Sequence, residues 1–147
     1  MTTIQRSAFV PYSPDKMYHL VDDIAAYPEF LPWCRKAIVL ERNEDQVEAS
    51  LTLAKGGFEK TFTTRNYLQK NKMIEIRLID GPFKQLEGFW RFESLDDKSC
   101  KVIFDLQFEF SSIATAMFIG PVFQQIVSHL VDNFCKRADE VYGKNNK

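Results

Sequence analysis

No stretch of this 147-residue sequence approaches the roughly 18 consecutive apolar residues that a membrane-spanning helix needs, so an integral membrane protein is not expected. The opening Met1-Thr-Thr-Ile-Gln-Arg6 has neither the apolar centre of a secretory signal nor the Arg/Ser-rich amphipathic character of a transit peptide. Cysteines are few, odd in number and far apart (Cys34, Cys100 and Cys135), with no Cys-x-x-Cys pair. That spacing indicates neither a disulfide framework nor a zinc site, and the expected location is a reducing cytoplasm. Nor is there an excess of charge: 19 basic against 20 acidic residues leave a formal net charge of -1. A wholesale polybasic nucleic-acid binder is thereby excluded and no DNA partner is expected, although a local basic patch stays open. His19 and His129 stand alone, without a cysteine or acid at metal-ligand or triad spacing, and read as structural. Gly-x-Ser-x-Gly, His-Glu-x-x-His, P-loop and Rossmann fingerprints are all missing, so no enzyme is expected and no catalytic residue is assigned.

What is present is an ordinary globular composition, 45% hydrophobic and 27% charged, on a chain long enough to bury a real core. One domain over residues 1–143 is expected, followed by a disordered tail at 144–147. Residues 4–10 read as a first strand. Ser13-Pro-Asp15 then starts a helix, with a hydroxyl cap, proline at the first helical position and an acid in the first turn. The stretch Ala26-Tyr-Pro-Glu-Phe-Leu-Pro-Trp-Cys34 fits neither a regular helix nor a strand, because Pro28 and Pro32 interrupt both, yet its aromatics suit a buried surface. Between residues 36 and 110 the pattern has period two, broken by turn signals at Asn43-Glu-Asp45, Lys55-Gly-Gly57, Lys70-Asn-Lys72, Asp80-Gly-Pro82 and Asp96-Asp-Lys98. That spacing predicts six consecutive antiparallel strands. In the last of them Val102, Phe104, Leu106, Phe108 and Phe110 alternate with Ile103, Asp105, Gln107 and Glu109, so one sheet face is dry and the other wet. Beyond Ser111 the period becomes helical. Gly120-Pro121 is expected to kink or restart the helix, and residues 122–142 carry a long apolar stripe through Phe123, Ile126, Val127, Leu130, Phe134, Ala138 and Val141.

The fold class that follows is α+β: a curved, seven-stranded antiparallel sheet wrapped around a long C-terminal helix, with two short helices after the first strand. Seven strands about 4.8 Å apart make a sheet roughly 30 Å wide, and one helix about 10–12 Å across cannot cover it. The sheet must curl around the helix, and the uncovered remainder must be roofed by loops or left as an apolar groove. The aromatic segment is the natural roof for one end.

This order of elements resembles the helix-grip, START-like superfamily, which includes polyketide cyclase-like and lipid-transfer domains. Within it the chain is most similar to the family of the bacterial ribosome association toxins (RatA) and the mitochondrial coenzyme Q-binding proteins. The resemblance rests on Val10-Pro-Tyr-Ser13, Tyr27-Pro-Glu-Phe-Leu-Pro32, Lys60-Thr-Phe-Thr-Thr-Arg-Asn66, Asp80-Gly-Pro-Phe-Lys84 with Trp90, and Arg137-Ala-Asp-Glu-Val-Tyr142. It implies two activities. One is binding a ubiquinone or other isoprenoid or acyl lipid in the groove. The other is binding the large ribosomal subunit so that subunits cannot join, as the toxin of a toxin-antitoxin pair with a cognate antitoxin partner. It brings no catalytic residues.

The candidate groove residues are Tyr27, Phe30, Leu31, Trp33, Phe83, Trp90, Phe104, Ile126, Leu130 and Arg137. Arg137 projects from the apolar stripe of the last helix and must reach water at the helix end, pair with a carboxylate or meet a ligand head group. Lys60, Thr64 and Asn66 share a strand face with Phe58, Phe62 and Leu68. They are either polar groups set in an apolar pocket or residues of a bulged, near-edge strand with the lysine in water. Lys55, Lys60, Arg65, Lys70 and Lys72 form the most basic stretch, and Lys55, Arg65, Lys70 and Lys72 are the candidate ribosome contacts, although the two turns that carry three of them lie at opposite strand ends.

Overall fold

The computed structural model describes residues 1–143, and the expected disordered tail at 144–147 lies outside the described residues. Seven strands form one antiparallel sheet: β1 (Thr2–Val10), β2 (Cys34–Arg42), β3 (Gln46–Lys55), β4 (Phe58–Gln69), β5 (Met73–Asp80), β6 (Phe83–Asp96) and β7 (Ser99–Phe110). Their spatial order is β1-β7-β6-β5-β4-β3-β2. Strands β2 to β7 are a simple meander, and each expected turn falls between two of them. At the β3–β4 turn Gly56 and Gly57 have φ of 59° and 81°, the left-handed pair that a two-residue hairpin demands.

The first strand pairs with the last, Ile4 opposite Leu106 and Ala8 opposite Val102, while β2 lies on the far edge. Residues 11–33 must therefore cross the sheet, and they do so as α1 (Pro14–Asp22) and a 3-10 helix (Ile24–Glu29). Ser13 occupies the N-cap of α1 in an extended conformation but makes no side-chain cap bond. The Ser13 hydroxyl near the Asp15 carboxylate instead holds that carboxyl below its ordinary range. The aromatic segment, read as neither helix nor strand, begins inside the 3-10 helix, which contains Pro28. A helix this short and tight leaves few backbone donors for proline to remove.

The C-terminal helix is divided in two: α2 (Ile113–Ser128) and α3 (Leu130–Tyr142), bent by 42°. The break falls at His129 and not at Gly120-Pro121. Pro121 denies a hydrogen bond to the carbonyl of Met117, but both residues are exposed, so water can serve that carbonyl and the helix continues. At His129 the imidazole Nδ1 bonds the Gln125 carbonyl at 2.8 Å, while the His129 N–H turns back to Ile126 at 3.3 Å. The side chain thus competes for a helical acceptor. On either side of the bend Phe123, Ile126 and Val127, then Val131, Phe134 and Ala138, stay buried against the sheet, whereas Val141 is exposed.

The dry and wet faces fall as the alternation predicts. Cys100, Val102, Phe104, Leu106 and Phe108 are buried with their neighbours Leu86, Trp90 and Phe92 on β6. The outer face is laced with ion pairs, among them Arg65–Glu48 at 2.9 Å and Arg77 between Glu75 and Glu87, each at 2.5 Å.

Candidate functional site

Between the concave sheet face and α2–α3 the packing leaves a cavity with about 90 Å³ open to water-sized molecules. Tyr27, Trp33, Trp90, Phe104, Ile126 and Leu130, all expected there, line it. The wall is completed by the inward residues of β3 and β4 and by Val21 of α1. Trp90 stacks on Phe104 with ring centres 4.3 Å apart, and Phe134 stands edge-on to Trp90 at 5.2 Å. No Asp, Glu, Lys, Arg or His contributes to the lining among the described residues. The Tyr27 hydroxyl is already committed, donating to the Val21 carbonyl at 2.5 Å, and burial drives its pKa well above the ordinary value. That bond ties the aromatic segment to α1. A second tie, from the Ala54 N–H to the Trp33 carbonyl at 2.8 Å, fixes it to β3. The segment is a roof anchored at both ends.

Four expected groove residues lie outside the cavity wall. Leu31 is buried in the core behind it. Phe30 packs against Tyr27 and Phe134 on the far side of the 3-10 helix, at 6.1 and 5.3 Å. Phe83 joins Phe62, Phe110 and Phe123 in an aromatic cluster that plugs one end, because the β5–β6 connection folds it beyond the cavity. Arg137 sits on the flank of α3 that faces the 3-10 helix. Its guanidinium lies 4.9 Å from the Phe30 ring centre and 3.4 Å from the Glu29 carboxylate. One helical turn beyond Phe134, it snorkels to a partner at the surface.

The ambiguity at β4 resolves by residue. Lys60 is exposed, while Thr64 and Asn66 line the cavity, with the Thr64 hydroxyl donating to Asn66 Oδ1 at 3.2 Å. β4 is an interior strand, but its first residues pair with β3 alone. The β5 ladder begins at Thr63, with a bulge between Thr63 and Thr64.

Outside the Trp33 wall lies a second, more open depression of about 340 Å³, lined by Pro32, Ala54, Lys55, Gln125, His129 and Asn133, and again by Trp33 and Ile126. Trp33 and Ile126 are the partition between the two spaces. The Trp33 indole Nε1 is buried and has no hydrogen-bond partner among the described residues.

The four basic candidates do not make one patch. Lys55 stands at one end of β4 and Lys70 and Lys72 at the other, roughly 40 Å apart along the strand by its rise per residue. Arg65, between them, is neutralised by Glu48. A surface that sequence reasoning missed is the first half of α2, where Ile113, Met117 and Phe118 are 82%, 77% and 75% exposed. The available signal was the absence of any charge in this helix, whose first half is apolar around most of its surface although only one side can face the sheet. Phe118 touches Phe58 of the β3–β4 hairpin, ring centres 6.2 Å apart, so this apolar face adjoins the end of the sheet that carries Lys55.

Comparison with known proteins matches residues 10–135 to the family described as polyketide cyclase / dehydrase and lipid transport. Over 142 residues the chain is 45% identical to the ribosome association toxin RatA of Pseudomonas aeruginosa, covering 97% of this chain and 99% of that one. The chain belongs to the RatA family. RatA of Escherichia coli is 44% identical over 142 residues, covering 97% of this chain and 90% of that one. A more distant relative is a mitochondrial coenzyme Q-binding protein of Dictyostelium discoideum, 27% identical over 154 residues, covering 99% and 73% of the two chains. Among solved structures, the Zhui aromatase/cyclase of Streptomyces sp. R1128 has a TM-score of 0.83 at 16% identity, covering 94% of this chain and 93% of its own. A START superfamily protein of Mycobacterium smegmatis has a TM-score of 0.79 at 21% identity, covering 95% and 98%. At such identities these two show the helix-grip fold alone. The RatA family and the START-like fold expected from the sequence motifs are both those of this chain.

Proposed function

We propose that this RatA-family protein acts without catalysis, by binding the large ribosomal subunit in the cytoplasm and obstructing its association with the small subunit, as a toxin held in check by a cognate antitoxin. The observation that carries this reading is similarity at 45% identity to a ribosome association toxin across nearly the whole of both chains. The surface that suits the role is the exposed face of α2 with the adjoining Lys55 hairpin. Contiguous exposed apolar surface of this kind marks interaction sites, and a nearby lysine suits a ribosomal neighbour rich in phosphate. Lys70, Lys72 and the paired Arg65 are weaker candidates, being remote from that face or already neutralised.

The test is sedimentation of the protein with purified large subunits at low salt. Wild-type protein should co-sediment, and Met117→Glu or Phe118→Ser should abolish this without loss of the fold. Lys55→Glu should weaken it and reduce its salt dependence, while Arg65→Glu changes little. Wild-type protein that never co-sediments with large subunits refutes the proposal.

The cavity favours a second role beside the first, binding a hydrophobic ligand such as a quinone or another lipid in support of respiration. Mass spectrometry of protein taken from its native host tests it. Protein that is consistently empty, and indifferent to added quinones and fatty acids, overturns this second role and leaves the ribosomal one standing.

A further inference from the structure

The cavity and the outer depression are two compartments of unlike chemistry that share one wall. The inner compartment is slender, apolar and free of ionisable groups apart from the committed Tyr27. The outer is wider, and its polar lining is Lys55, Gln125, His129 and Asn133, with no carboxylate among the described residues. Together their volumes fall within the several hundred Å³ of a small-molecule site, which the inner one alone does not reach.

At the shared wall, the Trp33 indole N–H is buried without an acceptor among the described residues. Buried donors are almost always satisfied, and an orphan of this kind is costly. Several polar groups of the outer compartment are engaged with one another. Lys55 Nζ donates to Gln125 Oε1 at 3.4 Å, and His129 Nδ1 is engaged with the Gln125 backbone carbonyl at 2.8 Å. What the outer compartment offers a ligand is therefore the positive charge of Lys55 beside the neutral donors and acceptors of Asn133 and His129. What it lacks is an acidic acceptor for a cation.

We propose that Trp33 and Ile126 form the gate of a two-compartment site for an amphipathic ligand, its apolar tail passing inward between them and its head, bearing acceptors and no positive charge, held outside by the Trp33 N–H and Lys55. This rests on the reading of the cavity as a ligand site and adds to it the polarity of the head, the direction of insertion and the residues that select. Carbonyl and carboxylate heads share the required acceptor chemistry. A carbonyl uses the indole N–H, and a carboxylate uses the lysine as well. An ammonium head meets a like charge at Lys55 and finds no carboxylate in the lining to pair with it.

The protein carries its own reporter, since both of its tryptophans, Trp33 and Trp90, line the inner compartment. Three probes with the same twelve-carbon tail, dodecanoate, its methyl ester and dodecylammonium, are titrated below their micelle concentrations while tryptophan fluorescence is followed. Dodecanoate and the ester should bind, and dodecylammonium should bind at least about tenfold more weakly. Lys55→Met should weaken dodecanoate roughly five- to tenfold and leave the ester unchanged. Trp33→Phe keeps the ring in the wall and Trp90 as reporter, and should weaken the ester by about fivefold. Dodecylammonium binding as tightly as dodecanoate overturns the proposal while the cavity remains a ligand site. Equal affinities in wild type, Lys55→Met and Trp33→Phe overturn it in the same way. No binding by any probe overturns it together with the reading on which it rests.

Discussion

Truncating Phe104 to alanine probes the core and the cavity in a single experiment. The side chain is 1% exposed, it stacks on Trp90 at 4.3 Å, and it forms part of the cavity wall. Losing a fully buried phenylalanine in a core costs about 3–5 kcal/mol, the transfer free energy of the ring plus the cavity left behind. The stacked partner raises this by about 0.5–1.5 kcal/mol. Joining the new void to the existing cavity lowers it where Trp90 and Phe134 can settle into the space. An expected loss of about 4 kcal/mol is a large share of the 5–15 kcal/mol that holds a domain together. Followed by tryptophan fluorescence in urea, it should move the midpoint by about 2 M, and heating should show a melting temperature lower by about 15 °C. Phe104→Leu, which keeps most of the volume, should recover more than half of the loss. A Phe104→Ala protein destabilised by less than about 1 kcal/mol would mean that Phe104 does not stand in the packed core, and the account of the sheet gripping α2 and α3 would fail with it.

Gly88 lies on the inner face of β6 opposite Leu106, and a Cβ there would collide with the Asp105 carbonyl oxygen and stand 2.9 Å from Leu106 Cα. Since backbone cannot yield as a side chain does, Gly88→Ala should cost about 3 kcal/mol or more in urea unfolding, and a cost near zero would show that the strands are not so closely apposed. A third prediction concerns alkaline pH. The Tyr12 hydroxyl donates to Asp139 at 2.6 Å, and this bond pushes its pKa up to about 12, while burial pushes Cys34 and Cys100 up to about 11. Raised acids of this kind add stability that is fully present below their ordinary values of 9 to 10 and is lost as pH climbs through 11 to 12. Urea-unfolding free energies should therefore fall from pH 9 upward in wild type, and Tyr12→Phe should flatten the part of the fall above pH 10. Parallel curves for the two proteins would refute the assignment of Tyr12.

The parts of this protein legible in its sequence are those encoded between neighbours along the chain. Alternation over residues 36–110 and the five turn signals sufficed for strands β2 to β7 and for which side of each is dry, because side-chain direction in a strand depends only on position parity. Short-range chemistry also placed the start of α1 at Pro14 and the aromatic roof over the concave face. Six of the ten residues read as a groove line the cavity, Trp90, Phe104, Ile126 and Leu130 on an inward parity or stripe and Tyr27 and Trp33 from the aromatic segment. The remaining four were decided by contacts between residues far apart in the chain. Arg137 finds Glu29 across more than a hundred residues, Phe83 is claimed by a cluster drawn from β4, β7 and α2, and Phe30 and Leu31 turn away because the roof is itself helical at its start. The bend at His129 in place of Pro121 depends on which side of α2 meets water, and that is settled only when the helix is laid on the sheet. The sequence by itself determined the strands, the turns, the dry face and the family. Which residues enclose the cavity, where α2 is left bare and how Trp33 comes to divide two compartments were determined by tertiary packing, since a wall or a gate exists only where distant segments meet.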